Sequence, residues 1–600
     1  MLVFVGFEIM SYKDEIFKKI SFRINEGEKR RTLRRKLPSQ LKDEEIWIGD
    51  SETWRDANKP AFWCFTNLKG DKHKFYDASD LDLLRIWLFR YPKKIIYFHN
   101  LDFDASSIFD VTLVSQANKI VVGSKLIQFK WGATIFKDSK ALLVNSVSKI
   151  GDSLKLPKGE TPQKFIDGDS SQGYNELDIE YCKRDVEIVR VALNLIHKEF
   201  KELVNDSHSN IPLTAASMAY QIYSAKFWPF DYDTIYMKPE CFDSALASYY
   251  GGRVQRFAKA GKLYNNIYVY DINSLYPSEM VDNKFPNPKK MWKANTPSIE
   301  LMHDYIKEGK CVWGKLKMTT SNGCLFLPNL TSDKRRDYTL KEFDGYLCQP
   351  EIEFALENGW IIHEISELYA AIPIKPFKNY VQHFYEKRLN SQLNEDSKEF
   401  FYKILLNSLY GKFGQRDICK RIENPERVKS IMGTDNWSDR YDIKYYSVNV
   451  WYLEEKTASM VSKNTWAGWS AFVTSYARVS LAKSIRDNKN VLYCDTDSIH
   501  LSEEPNNVNL KMGNKLGEWK LEATNVPYVQ YWEPKVYRFL DSNKNNLKVK
   551  HKGVNMSDGD LTKIQFARNL VKYRSALRRN LDMGDFIIVP KRSKRHYIGD

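Results

Sequence analysis

The sequence predicts a multidomain chain of mixed α/β and α+β architecture, and three observations predict it. At 600 residues the chain exceeds what one hydrophobic core organises, and about 150 residues per domain suggests roughly four domains. Short apolar runs that read as strands end in carboxylates at several separated places. Long stretches of helical periodicity, basic and aromatic, lie between them. Hydrophobic residues make up 43% and aromatics 14%, so material for packed cores is ample. The formal net charge of +15 implies a polyanionic partner; nucleic acid and an anionic membrane surface fit that number equally well. The eight cysteines occur singly with no CxxC pair, which supports neither a zinc site nor a disulfide framework and fits a reducing compartment. No apolar run approaches bilayer length, and Met1 to Met10 lacks a basic leader and a cleavage site. A soluble, intracellular protein without a membrane partner is expected.

Taken in order, residues 1–44 contain the basic cluster Lys29-Arg30-Arg31-Thr32-Leu33-Arg34-Arg35-Lys36. A nucleic-acid contact, a nuclear address and a solvated helix face all suit it. Ile46-Trp47-Ile48-Gly49-Asp50-Ser51-Glu52-Thr53 begins as a strand, and Asp50 and Glu52 share one of its faces. A second strand, Lys94 to Asn100, runs into Leu101-Asp102-Phe103-Asp104; Asp102 is expected to face solvent. Leu177 to Leu195 is helical and stacks Tyr181 over Asp185. Singly, each of these reads as surface carboxylates. Together Asp50, Glu52, Asp104 and Asp185, with Tyr181 to orient a water, are the inventory for two-metal phosphodiester hydrolysis. Lys158, in the loop-like stretch 155–159, reads by itself as a solvated loop lysine.

Tyr249-Tyr250-Gly251-Gly252-Arg253 pairs aromatic rings with glycines that let a backbone approach closely; a plain tight turn fits as well. An apolar strand then ends in Asp271, followed by Tyr276-Pro277. A ring such as Tyr276 under a bound nucleotide would collide with a ribose 2′-OH; an ordinary core tyrosine is the alternative. Phe377 to Gln415 is helical and basic, with Lys403, Asn407 and Tyr410 on one face. A triphosphate would meet the mobile charge of Lys403, with Arg388 as a second phosphate contact, whereas a solvated polar face explains the same spacing. Finally, Val491 to His500 reads as two short strands meeting at Asp495-Thr496-Asp497. Carboxylates two apart on extended chain point the same way and repel unless a cation lies between them. Mg²⁺ is the natural candidate, and a polar hairpin tip is the plain alternative.

The ordered set resembles the family B DNA polymerases. Asp50/Glu52, Asn100/Phe103/Asp104 and Tyr181/Asp185 are similar to the DxE, Nx(2-3)(F/Y)D and YxxxD signatures of their 3′–5′ proofreading exonuclease. Asp271…Ser274-Leu275-Tyr276-Pro277, Lys403…Asn407-Ser408…Tyr410-Gly411 and Tyr493…Asp495-Thr496-Asp497-Ser498 resemble motifs A, B and C in family order. Thr474-Ser475-Tyr476-Ala477-Arg478 resembles the Tx2(G/A)R primer-contacting motif, and Lys535-Val536-Tyr537 the KxY motif. Long intervals between motifs A and B and between B and C resemble the two insertions of the protein-primed branch found in linear-genome phages, adenoviruses and linear plasmids.

The resemblance implies an RNase H-like 3′–5′ exonuclease domain joined to a right-hand polymerase of palm, fingers and thumb. The implied segments are a basic N-terminal segment 1–44, an exonuclease domain 45–205, palm 206–300 and 470–545, and fingers 366–415. Insertions follow at 301–365, to contact a priming protein, and at 416–469, for processivity and strand displacement, with a short thumb at 546–600. Asp271, Asp495, Asp497 and Lys535 would be catalytic in the palm, and Asp50, Glu52, Asp104, Asp185 and Tyr181 in the exonuclease. Two metal ions per site, Mg²⁺ or Mn²⁺ in its place, would be held by Asp271 and Asp497, and by Asp50, Glu52 and Asp185. Tyr276, Arg388, Lys403, Asn407 and Tyr410 would bind dNTP. Tyr249, Gly251, Gly252, Thr474, Arg478, Tyr537, Asn100 and Phe103 would contact DNA template and primer. A terminal protein would act as primer for a monomeric enzyme in the host cytoplasm, or in the nucleus or mitochondrion of a eukaryotic host. The rivals are a nucleic-acid-primed polymerase, a stand-alone exonuclease and a catalytically silent binding protein of the same fold.

Overall fold

The computed structural model describes residues 31–35, 45–54, 59–90, 92–109, 114, 117–122, 125–206, 210–330, 336–415, 418–422, 425–445, 451–460, 464–505, 510–551, 570–572 and 587–589. Most of the N-terminal basic segment, most of the expected thumb and the whole Lys591–Arg595 run lie outside the described residues. Within the first of these, Arg31–Arg34 forms a strand paired with Thr234–Met237, so this part of the basic cluster is sheet and not a helix face.

The first sheet has seven strands in the order His73–Asp77, Pro60–Asn67, Glu45–Thr53, Lys94–Phe98, Thr134–Asp138, Lys125–Trp131, Asn118–Val122. Its centre is parallel, Glu45–Thr53 to Lys94–Phe98 to Thr134–Asp138. Central parallel strands are covered on both faces and so read as unbroken apolar runs; Lys94–Phe98 is buried throughout. Alternate residues go to opposite cores. Ile46 and Ile48 pack with Ile188 and Val189 of the long helix Glu176–Val204, while Trp47, Ile96 and Phe98 pack with Leu101 and Ala105 of helix Leu101–Ile108. The long helix starts at a capping box in which Asn175 and Asp178 satisfy each other's backbone N–H groups.

The second sheet is antiparallel, ordered Val254–Arg256, Val491–Asp495, Ser498–Leu501, Leu263–Ile272, Trp519–Glu533, Val536–Leu540, Asn546–His551. Helix Ala467–Asp487 covers one face, with Ala477 and Leu481 against Tyr270, Ile272 and Ile499. Because Asn546–His551 pairs with Val536–Leu540, this sheet runs past the sequence-based limit of 545. A separate four-stranded sheet, Phe285–Lys293, Ile361–Ile374, Cys311–Thr319, Glu342–Cys348, is wider on both sides than the 301–365 expected for the first insertion. Helices Lys378–Leu393 and Lys398–Phe413 pack as a two-helix arm, and the strands Ile418–Ile422, Trp451–Met460 and Tyr441–Tyr445 form a sheet inside the second insertion. Among the described residues no helix is long and apolar enough to cross a membrane.

Two polar junctions tie these parts together. Glu199, buried near the end of the long helix, accepts a hydrogen bond from Tyr402 Oη at 3.1 Å and pairs with Lys398 at 2.8 Å. Both partners belong to the second helix of the arm, and Lys155 meets Glu395 of the arm's turn at 2.6 Å. The other junction is deeper: Arg478 and Glu351, 1% and 0% exposed, form a two-pronged pair at 2.8 and 2.9 Å. Arg478 also donates to the carbonyls of Tyr250 and Gly251. Removing one partner of such a pair leaves a buried charge, which costs about 3–5 kcal/mol, whereas apolar replacement of both is far milder. Glu351→Ala should therefore lower the urea midpoint sharply, and the Glu351→Leu/Arg478→Met double variant should recover most of the loss.

Candidate active sites

The hairpin Val491–Leu501 delivers two carboxylates beside a third. Asp271, at the end of its strand, pairs in register with Ser498, and Ile272 N–H donates to Asp497 O at 2.7 Å. The turn is strained: Thr496, a β-branched residue, has φ +65°. Its N–H donates to Arg253 O and Asp497 N–H to Asp495 O, each at 2.7 Å, which holds the turn. Gly252 lies against it so closely that a Cβ there would sit 2.8 Å from Thr496 Cγ2 and 2.9 Å from Tyr276 Oη. Burial first, and then the Asp497 charge, push the Asp271 carboxyl up to about 7. Burial likewise raises Asp497. Asp495 is tied elsewhere, its two oxygens accepting from Lys535 Nζ at 2.8 and 2.9 Å.

The arm flanks this cluster. Lys403 and Asn407 are exposed on one face, and the Lys403 charge lowers Asp271. The Tyr410 ring lies 4.4 Å from that of Tyr276. Arg388 reaches motif A, donating to Ser274 Oγ at 3.1 Å while Glu399 holds it at 2.7 Å. Tyr249 packs on the end of the arm, where a Cβ at Gly414 would come within 2.4 Å of its ring.

In the first sheet Asp50, Glu52, Asp104 and Asp185 converge. Ser51 Oγ donates to Asp104 Oδ1 at 2.8 Å. Burial, followed by the Asp50 charge, raises both Glu52 and Asp104 well above the usual carboxylate range. Lys158 forms an ion pair with Asp185, so the loop lysine is directed into the cluster. Burial works against its charge, yet Asp185 holds Lys158 above its ordinary value. Tyr181 Oη shares a 2.9 Å hydrogen bond with Thr161.

The family model described as DNA polymerase type B, organellar and viral, matches residues 170–514. The chain belongs to this family. The DNA-directed DNA polymerase of Enterobacteria phage PRD1 is 26% identical over 517 residues, 84% of this chain and 83% of that protein. A probable DNA polymerase of Podospora anserina is 26% identical over 399 residues, 59% of this chain and 31% of that longer protein. The structure of phi29 DNA polymerase with primer-template DNA shares the fold, with a TM-score of 0.64 at 19% identity over 87% of this chain and 94% of that one. Phage and fungal relatives agree with the branch that the sequence resembles, and the fold is an RNase H-like domain followed by a right-hand polymerase.

Within that polymerase fold several expected DNA contacts are turned inward. Thr474, 1% exposed, spends its hydroxyl on Ser470 O and Ala471 O. Arg478 is consumed by Glu351, and Tyr537 is buried among Tyr493, His500, Tyr531 and Phe539. These side chains shape the palm from beneath. Asp102 also differs from expectation: it is buried and accepts from Leu126 N–H at 3.1 Å. Phe103 is half-buried on the same helix, and Asn100, at φ 91°, precedes it. The Asn100 N–H donates to Asp138 at 3.0 Å. Asp138, ending the neighbouring parallel strand, escaped the sequence reading, although a strand closing on an aspartate was its available signal. Glu351 and Thr161 carried no such signal.

The Asp271 shift has a consequence for stability. Its folded-state value of about 7 lies above the ordinary carboxylate value, so the protonated form favours the fold and that contribution is lost as pH rises through about 7. In chelator at about pH 8, where the charge is buried uncompensated, Asp271→Asn should raise the melting temperature. At about pH 4 the gain should vanish, because Asp271 is then protonated in the folded chain. Thermal melts at the two pH values check this.

Proposed function

We propose that this DNA-directed DNA polymerase works through two separate centres, nucleotidyl transfer in the palm and 3′–5′ proofreading hydrolysis in the RNase H-like domain. The observation that carries the reading is that each centre gathers carboxylates from different elements with one lysine beside them, Lys535 or Lys158. The residues suit hard divalent cations: the palm donors are all oxygen, Asp271 is raised by burial and by Asp497, and Asp185 Oδ1 is buried without a partner. Asp271 and Asp497 would hold Mg²⁺ in the palm, and Asp50, Glu52 and Asp185 in the exonuclease, with Mn²⁺ able to replace it. Such ions supply activation of the attacking oxygen and neutralisation of the leaving one.

The chain's own groups do the rest. Lys535 holds Asp495 at the edge of the cluster, beside the expected primer terminus. Lys403 and Arg388 present positive charge to the triphosphate. Tyr276, its ring tilted against that of Tyr410 at 4.4 Å and its hydroxyl close to Gly252, would collide with a ribose 2′-OH on the bound nucleotide. In the second centre Tyr181, steadied by Thr161, orients the hydrolytic water while Lys158 faces the scissile phosphate. The insertions between motifs A and B and between B and C support a terminal-protein primer for a linear genome.

Primer extension with Mg²⁺ and dNTPs on a primed single-stranded template tests the palm. Asp497→Ala should abolish extension and leave 3′-end degradation intact. Glu52→Gln should do the reverse. Unchanged extension by Asp497→Ala would sink the assignment. For priming, labelled dNMP should become attached to the hydroxyl of a protein encoded on the same genome without any nucleic-acid primer; extension from nucleic-acid primers alone would favour the rival polymerase.

A further inference from the structure

The cluster in the RNase H-like domain contains sulfur as well as oxygen. Asp50 is paired in register with Cys64 of the adjacent strand. The helix that brings Tyr181 and Asp185 lays Cys182 over this strand pair, fully buried, with its thiol donating to Asp50 Oδ2 at 4.0 Å. One ligand atom each from Asp50, Glu52 and Cys182 lies within 4.8 Å of the others. Asp185, 5% exposed, is close enough to raise Glu52 by its charge, and its Oδ1 is buried with no partner. An unsatisfied buried oxygen beside three convergent donors points to a cation.

We propose that Asp50, Glu52 and Cys182 form a site for a thiophilic divalent cation of the Zn²⁺ or Cd²⁺ class, which displaces Mg²⁺ from this centre and silences it while the palm continues to work. The inference rests on the proofreading reading only for that last consequence. Mg²⁺ takes oxygen and gains nothing from a thiol, whereas Zn²⁺ accepts thiolate at about 2.3 Å and carboxylate at about 2.0–2.2 Å. Two such ligands on one ion stand no more than about 4.5 Å apart, and the 4.0 Å between Cys182 and Asp50 fits. Binding releases the thiol proton to solvent, and the thiolate and two carboxylates then share the charge of the ion with Lys158 nearby. Without a soft ion a thiol buried this deeply is inert. Among the described residues the palm shows no equivalent: Asp271, Asp495 and Asp497 offer carboxylates.

The test is a Cd²⁺ titration of the metal-free full chain, read by thiolate-to-cadmium charge-transfer absorption. Wild type should develop the band at one equivalent, and Cys182→Ser should lose it. Asp50→Asn should weaken apparent affinity by roughly tenfold or more, while Cys311→Ser, in the first insertion, should keep the band. No band in wild type, or a band that survives Cys182→Ser, overturns the proposal. Should Cys182→Ser fail to fold, cadmium NMR of wild type decides: a one-sulfur resonance supports the site and an all-oxygen resonance overturns it. Mg²⁺-dependent 3′-end degradation by wild type is measured alongside. Degradation without a Cys182-dependent band overturns the soft-metal site and leaves proofreading standing; the band without degradation sinks proofreading and leaves the site.

Discussion

Like charges held close together on a rigid scaffold of strand, turn and helix are the constraint around which this chain is built. A carboxylate is costly to bury and costlier beside another, yet Asp271 and Asp497 in the palm, and Glu52 and Asp104 in the first domain, are placed in that way. The surrounding structure makes this tolerable by fixing the backbone and by setting a lysine beside each cluster. In the palm a left-handed Thr496 is pinned by carbonyl contacts and by the bare backbone of Gly252. In the first domain, the strands carrying Asp50-Ser51-Glu52 and Asp138 lie parallel on either side of Lys94–Phe98, and Asp138 holds the turn at Asn100.

The two centres solve the problem with different neighbours. Lys535, itself at φ 62°, grips both oxygens of Asp495 and leaves Asp271 and Asp497 facing each other. Lys158 comes from a loop and pairs with Asp185, while burial and then the Asp50 charge keep Glu52 and Asp104 raised. Each lysine neutralises one carboxylate and leaves the others close together, an arrangement that the metal-dependent chemistry proposed above would use.

Much of this was legible in the chain. Asp495 and Asp497 share a direction because extended backbone repeats every two residues, and Lys403, Asn407 and Tyr410 share a face because a helix repeats near 3.6. Those relations are local, so spacing carries them. The burial of Arg478 was not legible, because its partner Glu351 lies far away in sequence and on another element. Thr474 and Tyr537 look like contacts in a motif and act as packing in the fold. The four-stranded sheet takes in Phe285–Lys293, outside the expected 301–365; Pro286, Pro288 and three lysines there are a composition that argues against a strand. Asp102 turns inward because a neighbouring strand needs its backbone N–H satisfied, a demand invisible from the helix itself.

The Glu199 junction bears on how such enzymes can be recombined. One unbroken helix carries Tyr181 and Asp185 at its start and Glu199 near its end, where Tyr402 and Lys398 of the fingers grasp it. The boundary between the two domains is thus a shared polar joint buried in one continuous core. A chimera that grafts a foreign RNase H-like domain at residue 205 would inherit Lys398 and Tyr402 without their acceptor, unless the graft supplies a carboxylate at the matching turn. Domain exchange would therefore depend on a helical position far from either carboxylate cluster.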